Sequence, residues 1–104
     1  MYLKTLQKYS PNFSTSARNK KKIKYIVYHY TGMRSETKAL KRLTDDSSNV
    51  SCHYFIKRNG QIILIVPELY EAWHAGKSKW KKDISINRNS IAVSYTHLTL
   101  PTKR

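Results

Sequence analysis

Residues 26–32 read Ile-Val-Tyr-His-Tyr-Thr-Gly, an apolar β-branched and aromatic run that ends in a histidine, a hydroxyl and a glycine. Such a run predicts a buried strand. Alternation places Tyr25, Val27 and His29 on one face. The opposite face is also largely apolar, which favours a central strand covered on both sides. Because a histidine is costly to bury without a partner, the carboxyl end of this strand is the first candidate site.

The rest of the pattern is typical of a mixed sheet with helices. Ser35 is the predicted N-cap of a short helix with one apolar stripe, which ends near Thr44. Residues 51–57 and 61–66 are predicted strands joined at Asn59-Gly60, where both turn residues accept positive φ. Another strand is expected to begin within residues 90–93. This order predicts the α/β fold class, with a mixed β-sheet flanked by helices.

Length and charge limit the class of protein. The 104 residues suffice for one small domain, and a hydrophobic content of 39% predicts a packed core rather than global disorder. The 20 basic and 6 acidic residues give a net charge of +14, which predicts attraction to polyanions. Much of the excess lies between Arg18 and Lys24, and it predicts a solvated basic segment over residues 1–22.

The sequence gives no sign of a membrane span or an internal disulfide. No window approaches the ~18 apolar residues of a span, and residues 1–10 lack the apolar core and cleavage site of a secretory signal. Cys52 is the one cysteine, and within a strand-like run it is expected to be buried. We expect a cytoplasmic monomer, with a periplasmic location left open for a longer parent chain.

Three histidines are candidate site residues. Catalytic zinc commonly takes three protein ligands and lowers the pKa of a bound water toward ~7. His29 is the best single candidate ligand, although a core histidine bonded to backbone explains its position equally well. For His53, inside a predicted strand, a satisfied structural histidine is favoured. His74 precedes the small residues Ala75 and Gly76, so substrate contact or pocket lining is favoured there.

Five blocks of sequence occur in order and at plausible spacing. The blocks are residues 10–13 (Ser-Pro-Asn-Phe), 26–33, 50–54 (Val-Ser-Cys-His-Tyr), 73–76 (Trp-His-Ala-Gly), and 86–87 with 90–91. Together they resemble a known family, the zinc-dependent N-acetylmuramoyl-L-alanine amidases, which is related to peptidoglycan-recognition proteins and phage lysozyme-amidases. Within this family the chain most resembles the bacterial branch that recycles muropeptides, and the resemblance covers roughly residues 10 to 93.

The resemblance implies hydrolysis of the amide between N-acetylmuramic acid and L-alanine in peptidoglycan fragments, with Zn²⁺ as cofactor. It implies that His29 is the first zinc ligand. The substrate-binding positions that it implies are Tyr30, Thr31, His53, Tyr54, Trp73, His74, Ala75 and Gly76. The partners are therefore expected to be muropeptides and not a specific nucleic acid. The alternative from another class is a non-catalytic module that binds peptidoglycan or a polyanion.

The chain also departs from the family pattern near its end. The position expected to hold the catalytic glutamate is Ser94, and the Gly-His-x-Asp and Asp-Pro-Gly contexts of the other two ligands do not occur. Residues 94–104 resemble a translated sequencing-adaptor end, so a non-native tail is expected there and His97 is not counted as a ligand. These features divide the chain into a basic segment (1–22), a partial amidase domain (23–93) and the tail, and they predict an inactive fragment.

Overall fold

The computed structural model describes residues 5–75 and 86–96, which form one five-stranded sheet, a two-stranded sheet and two α-helical segments. The strands are β1 (Leu6–Gln7), β2 (Phe13–Ser14), β3 (Tyr25–Tyr30), β4 (Tyr54–Ile56), β5 (Ile62–Leu64), β6 (Glu71–Ala72) and β7 (Ser90–Tyr95). The helices are α1 (Glu36–Thr44) and α2 (Ile86–Asn89), with 3₁₀ turns at Lys20–Lys22 and Asp46–Ser48. Within the described ranges, neither helix is long and apolar enough to cross a bilayer.

The large sheet is mixed, and its strand order is β1-β5-β4-β7-β3. β7 pairs in parallel with both β3 and β4, whereas β4 and β5 are antiparallel and β1 is parallel to β5. β2 and β6 form the separate antiparallel pair. Since parallel neighbours end at the same side of a sheet, the carboxyl ends of β3, β4 and β7 meet there.

The prediction that the strand ending in His29 is central and covered on both sides is wrong for the described residues. β3 lies at the edge of the sheet, and β7 takes the inner position. Tyr28 and Tyr30 on its outer face are each 66% exposed, whereas Val27 and His29 are partly buried on the inner face. An edge strand with one solvent-facing side can carry tyrosine rings there, because their hydroxyls stay hydrated.

Helix α1 forms as predicted and covers the inner face of the sheet. The Ser35 hydroxyl accepts a hydrogen bond from Lys38 N–H, and the helix ends at Thr44 before Asp45. Its apolar stripe includes Ala39 and Leu43, which are buried in the core. The sheet residues packed in the same core are Phe55, Ile63 and Ala92, together with Cys52, Ile65, Val66 and Ala72. The predicted burial of Cys52 is confirmed.

The hairpin between β4 and β5 is confirmed, but its turn differs from the predicted one. Gly60 alone has positive φ, at 91°, and Asn59 does not. Gly60 N–H donates to Lys57 C=O at 2.9 Å, and Lys57 N–H donates to Gln61 C=O at 2.8 Å. This is a three-residue connection in which a turn is followed by a glycine in the left-handed region.

The amino-terminal segment is part of the fold, and the expectation of a solvated segment fails at Arg18, which is only 4% exposed. β1 pairs with β5, and Ser10 and Asn12 are buried. The lysines from Lys20 to Lys22 are exposed, as expected. Arg18 differs because backbone carbonyls surround its guanidinium and replace the lost water. The division of the chain at residues 22 and 93 stays a prediction, with β7 running through Tyr95.

Candidate active site

A cavity of about 150 Å³ opens where β3 ends, between α1 and the loop after β6. His29 and Thr31 come from the end of β3, Ser94 from the middle of the sheet, and His74 from the loop. The remaining lining residues are Met33, Ala39, Arg42, Leu43, Val50 and Ser51. The structure therefore brings three predicted site residues, His29, Thr31 and His74, together in the lining of one cavity. Arg42 supplies the cationic side chain of this lining.

His29 and His74 are in direct contact. His29 Nε2 lies 2.7 Å from His74 Nδ1, and His74 Nε2 lies 2.9 Å from Ser90 Oγ. The Ser90 hydroxyl donates to Ile86 C=O at 2.6 Å. Because its one hydrogen is used in that bond, the Ser90 oxygen accepts from His74 Nε2–H. A neutral His74 then carries its lone pair on Nδ1, and this nitrogen accepts from His29 Nε2–H. The network leaves the lone pair of His29 on Nδ1, where it is available to a proton or a metal ion.

Both imidazoles are neutral at physiological pH. Burial lowers the pKa of His29. Burial also lowers the pKa of His74 to about 3, with a further contribution from positive charge at His29, His53 and Arg18. A neutral imidazole is the form that binds a metal ion or accepts a proton. The two imidazoles are therefore suited to binding a metal ion or accepting a proton, and not to pairing with an anion.

The loop that carries His74 is held by side chains from three other segments. Asn87 Oδ1 accepts from the backbone N–H groups of His74 and Ala75, at 3.1 and 2.7 Å. Trp73 N–H donates to Ser51 Oγ at 3.0 Å, and the Trp73 indole donates to Ser14 Oγ at 3.1 Å. Trp73 and Ala75 thus lie beside the cavity without lining it. Gly76, also predicted to bind substrate, lies outside the described residues.

His53 is fully buried, with its ring fixed by backbone groups. His53 Nδ1 accepts from Ala92 N–H at 3.0 Å, and Nε2 donates to Tyr70 C=O at 2.8 Å. The same Nε2 lies 3.1 Å from Arg18 Nη2. Burial lowers its pKa to about 4, and the nearby Arg18 charge acts in the same direction. This is the structural histidine that the sequence favoured. With 0% of its surface exposed, it has no access to a ligand in this structure.

Tyr30 and Tyr54 lie on the other face of the sheet from the His29 cavity. Tyr54 pairs in register with Val93, one position before Ser94, and so its side chain points away from His29. The Tyr54 hydroxyl donates to the Glu68 carboxylate. The Tyr30 ring packs against Tyr95, with the two centroids 5.8 Å apart. The structure therefore does not bring these two predicted substrate-binding residues into the cavity.

Ser94, the position expected to hold a glutamate, is the register partner of His29 and lines the cavity. It is 3% exposed. A carboxylate at this position would lie beside the imidazole of His29. In this chain a hydroxyl occupies the place, and it has no general-base strength at neutral pH.

A second and larger cavity, of about 480 Å³, lies on the other side of α1. Its floor is apolar, with Leu40, Phe55 and Ile63, and three lysines lie around it: Lys8, Lys41 and Lys57. None of the predicted site residues lines this cavity. The smaller cavity is the better candidate because the histidines converge there.

Residues 5–75 and 86–96 do not by themselves complete a zinc site. In these ranges no group of three or more histidine, cysteine, aspartate or glutamate side chains is close enough to hold a metal ion. The two imidazoles at the cavity are His29 and His74, and a catalytic zinc uses three protein ligands. The described donor set therefore provides at most a part of such a site.

Several residues that shape the site gave little signal in the sequence. Asn12 lies in the Ser-Pro-Asn-Phe block, but its role appears only in three dimensions: its amide donates to Asp45 C=O at 2.8 Å and Val50 C=O at 2.9 Å. Ser51 bridges two segments, since its hydroxyl donates to Asn12 C=O at 2.5 Å while it accepts from Trp73 N–H. Polar residues of these types occur in most loops, so pattern alone does not single them out. The others that the pattern missed are Arg18, Arg42, Asn87 and Ser90.

Comparison with known proteins matches residues 19–99 to the N-acetylmuramoyl-L-alanine amidase family Amidase_2. The chain belongs to this family, and the resemblance noted from the ordered blocks is confirmed. Among curated proteins, it is similar to the N-acetylmuramoyl-L-alanine amidase AmiD of Escherichia coli (strain K12), with 38% identity over 79 residues. That match covers 69% of this chain and 28% of the relative, so the chain spans about a quarter of that protein's length.

Solved structures give the same fold. AmiD from E. coli in complex with anhydro-N-acetylmuramic acid-L-Ala-D-gamma-Glu-L-Lys matches with a TM-score of 0.63 and 34% identity, over 80% of this chain and 33% of that one. A selenomethionine derivative of AmpD matches with a TM-score of 0.69 and 22% identity, over 93% and 66% of the two chains. The second likeness concerns the fold alone. The predicted α/β fold of the amidase and peptidoglycan-recognition type is confirmed.

Proposed function

We propose that this domain acts on peptidoglycan fragments, as an N-acetylmuramoyl-L-alanine amidase that cleaves the amide between the sugar lactyl group and L-alanine. The observation that carries the proposal is the cavity where two neutral imidazoles, His29 and His74, meet at the carboxyl end of β3. Family membership supports the same reaction. The complex of the similar AmiD with a muropeptide supports this class of substrate.

His29 is the residue that we propose as a zinc ligand. The hydrogen-bond network leaves its Nδ1 lone pair free of the contact with His74, and its imidazole is neutral. Zinc in this family's reaction would polarise the carbonyl and activate water. Because Ser94 stands beside His29 where the resemblance implies the catalytic glutamate, we expect negligible turnover from this chain. The wall-recycling role, the cytoplasmic location and the monomeric state predicted from the sequence stay predictions.

Arg42 is a further residue that we propose to contact the substrate. It lines the cavity from the last turn of α1, and the stem peptide of a muropeptide carries carboxylates. An exposed charge pair is worth up to about 1 kcal/mol, which corresponds to a loss of about twofold to fivefold in affinity when it is removed. Lys41 is the neighbouring cation on the same helix, and it lines the second cavity instead.

Binding of the muropeptide named above tests the proposal. It would be added to the ¹⁵N-labelled chain, with the backbone shifts of residues around the cavity as the readout. We expect the largest shifts at His29, Thr31 and His74, with Arg42→Gln weakening binding about twofold to fivefold and Lys41→Gln leaving it unchanged. Shifts confined to the second cavity, or no binding at millimolar ligand, would refute the proposed site. Equal weakening in the two variants would show a general effect of charge.

Zinc binding is measured separately, by titration of the chain with Zn²⁺. His29→Ala should weaken the binding, and an unchanged titration would exclude His29 as a ligand. Release of peptide from the same muropeptide by the 104-residue chain, dependent on zinc, would contradict the expected lack of turnover.

A further inference from the structure

Arg18 lies inside the fold, where its guanidinium faces four backbone carbonyls and its Nη2 lies 3.1 Å from His53 Nε2. Its side chain donates from Nε to Glu68 C=O at 2.9 Å. Nη1 lies within hydrogen-bond distance of three more carbonyls: Asn87 at 3.0 Å, Arg88 at 3.2 Å and Ser90 at 2.8 Å. A buried cation is tolerated only when such acceptors replace its water. The guanidinium thus joins the segment before β3 to the chain around α2.

Two of these acceptor residues are the ones that hold His74. The Asn87 side chain accepts from the backbone N–H groups of His74 and Ala75. The Ser90 hydroxyl accepts from His74 Nε2, which leaves Nδ1 for the contact with His29. Two hydrogen-bonded routes through residues 87–90 therefore lead from Arg18 to His74, one to the backbone of His74 and one to its ring. Arg18 does not line the cavity itself.

We propose that Arg18 is a positioning residue for the His29–His74 pair, which acts by fixing the backbone of Asn87 and Ser90. The geometry stands without any substrate, whereas its importance for catalysis rests on the proposed function. The planar fork of an arginine holds several carbonyls at once, and a lysine ammonium on a flexible stem does not reproduce that arrangement. Arg18→Lys therefore keeps the charge and removes the positioning.

The matched control is Arg88→Lys. The Arg88 side chain pairs with Glu71 at 3.2 Å and is 47% exposed, so it lies close to the same loop without entering the core. The readout is the ¹H–¹⁵N spectrum of the histidine rings, which distinguishes an Nε2–H from an Nδ1–H tautomer. The spectra are recorded under conditions in which far-ultraviolet circular dichroism shows each variant to be folded. The measurement needs no substrate or metal.

For the wild type and Arg88→Lys we expect His74 in the Nε2–H form, bonded to Ser90. In Arg18→Lys we expect that pattern to be lost, with the ring averaging between its two tautomers. A variant that is merely less stable but keeps the His74 pattern would overturn the proposal. This outcome is separate from a failure of the proposed function, since absent muropeptide binding would leave the ring spectra unchanged.

If Arg18→Lys does not fold, hydrogen exchange on the wild type tests whether Arg18 holds the loop that carries His74. Arg18 Nε–H and the backbone N–H groups of His74 and Ala75 should exchange through one shared opening, with the same protection factor. Protection of the His74 and Ala75 amides at least tenfold below that of Arg18 Nε–H would show that the loop opens while Arg18 stays in place. That result would equally overturn the proposal.

Discussion

Acid should destabilise this domain through His53, and the size of the effect follows from its surroundings. Protonation of Nδ1 would direct an N–H against the Ala92 N–H that now donates to it at 3.0 Å. Burial and the neighbouring Arg18 charge oppose the cation as well, and the pKa falls from 6.5 to about 4. One pKa unit corresponds to about 1.4 kcal/mol, so the full difference is about 3 kcal/mol.

The direction of the change in stability with pH follows from whether the folded or the unfolded chain binds the proton at higher pH. The unfolded chain takes up a proton at His53 below pH about 6.5, while the folded chain stays neutral until pH about 4. The stabilisation is thus fully present above the unfolded pKa and is lost as the pH falls between these two values. Since small domains have about 5–15 kcal/mol of stability in total, a loss of about 3 kcal/mol is a large fraction.

The assay is urea unfolding at a series of pH values from 7.5 to about 4, with wild type and His53→Gln compared. The variant is expected to be less stable at neutral pH, because a glutamine does not replace both backbone bonds. Its free energy of unfolding should also fall less with acid, by about 3 kcal/mol over the window. Subtraction of the two curves removes the contribution of groups that do not interact with His53. Parallel curves, or a ring titration of His53 near 6.5, would refute the reasoning.

Three further predictions concern the scaffold. Asn12→Asp turns an amide that donates to the Asp45 and Val50 carbonyls into a carboxylate that faces the same carbonyls, so urea unfolding should show a loss of about 2–4 kcal/mol in stability. The control is Asn19→Asp at an exposed position, which keeps the acceptor for Lys21 N–H and should change stability by less than about 0.5 kcal/mol. Equal losses in the two variants would contradict the role given to Asn12. Burial raises the pKa of the Cys52 thiol to about 12, so a thiol reagent should react only on unfolding, and rapid labelling of the native chain would show that the core is open. Gly60→Ala should cost about 1 kcal/mol in the same unfolding assay because Gly60 has φ of 91°, and unchanged stability would contradict that turn.

Local sequence signals predicted β3, α1, the hairpin of β4 and β5, and the start of β7, but not β1, β2, β6 or α2. The N-cap at Ser35, the apolar stripe of α1 and the hairpin glycine act over a few residues, and short-range sterics and hydrogen bonding decide them. The ordered blocks of sequence were enough for the family, and two of the predicted site residues, His29 and His74, line one cavity in the structure. The prediction that Ser94 stands in the place of the catalytic glutamate stays a prediction, and the structure shows Ser94 as the register partner of His29.

Only the tertiary structure decided which side chains meet. The alternation of β3 is visible in sequence, yet its place at the sheet edge depends on pairing with β7, more than sixty residues away. The same holds for Tyr30 and Tyr54, which directly follow His29 and His53 in the sequence but lie on the face of the sheet opposite to the cavity. Arg18 lies in a basic run whose lysines are exposed, and it is buried because distant carbonyls converge on it. Pairing between strands distant in the sequence and the burial of a charged side chain depend on the whole chain, so a local pattern does not predict them.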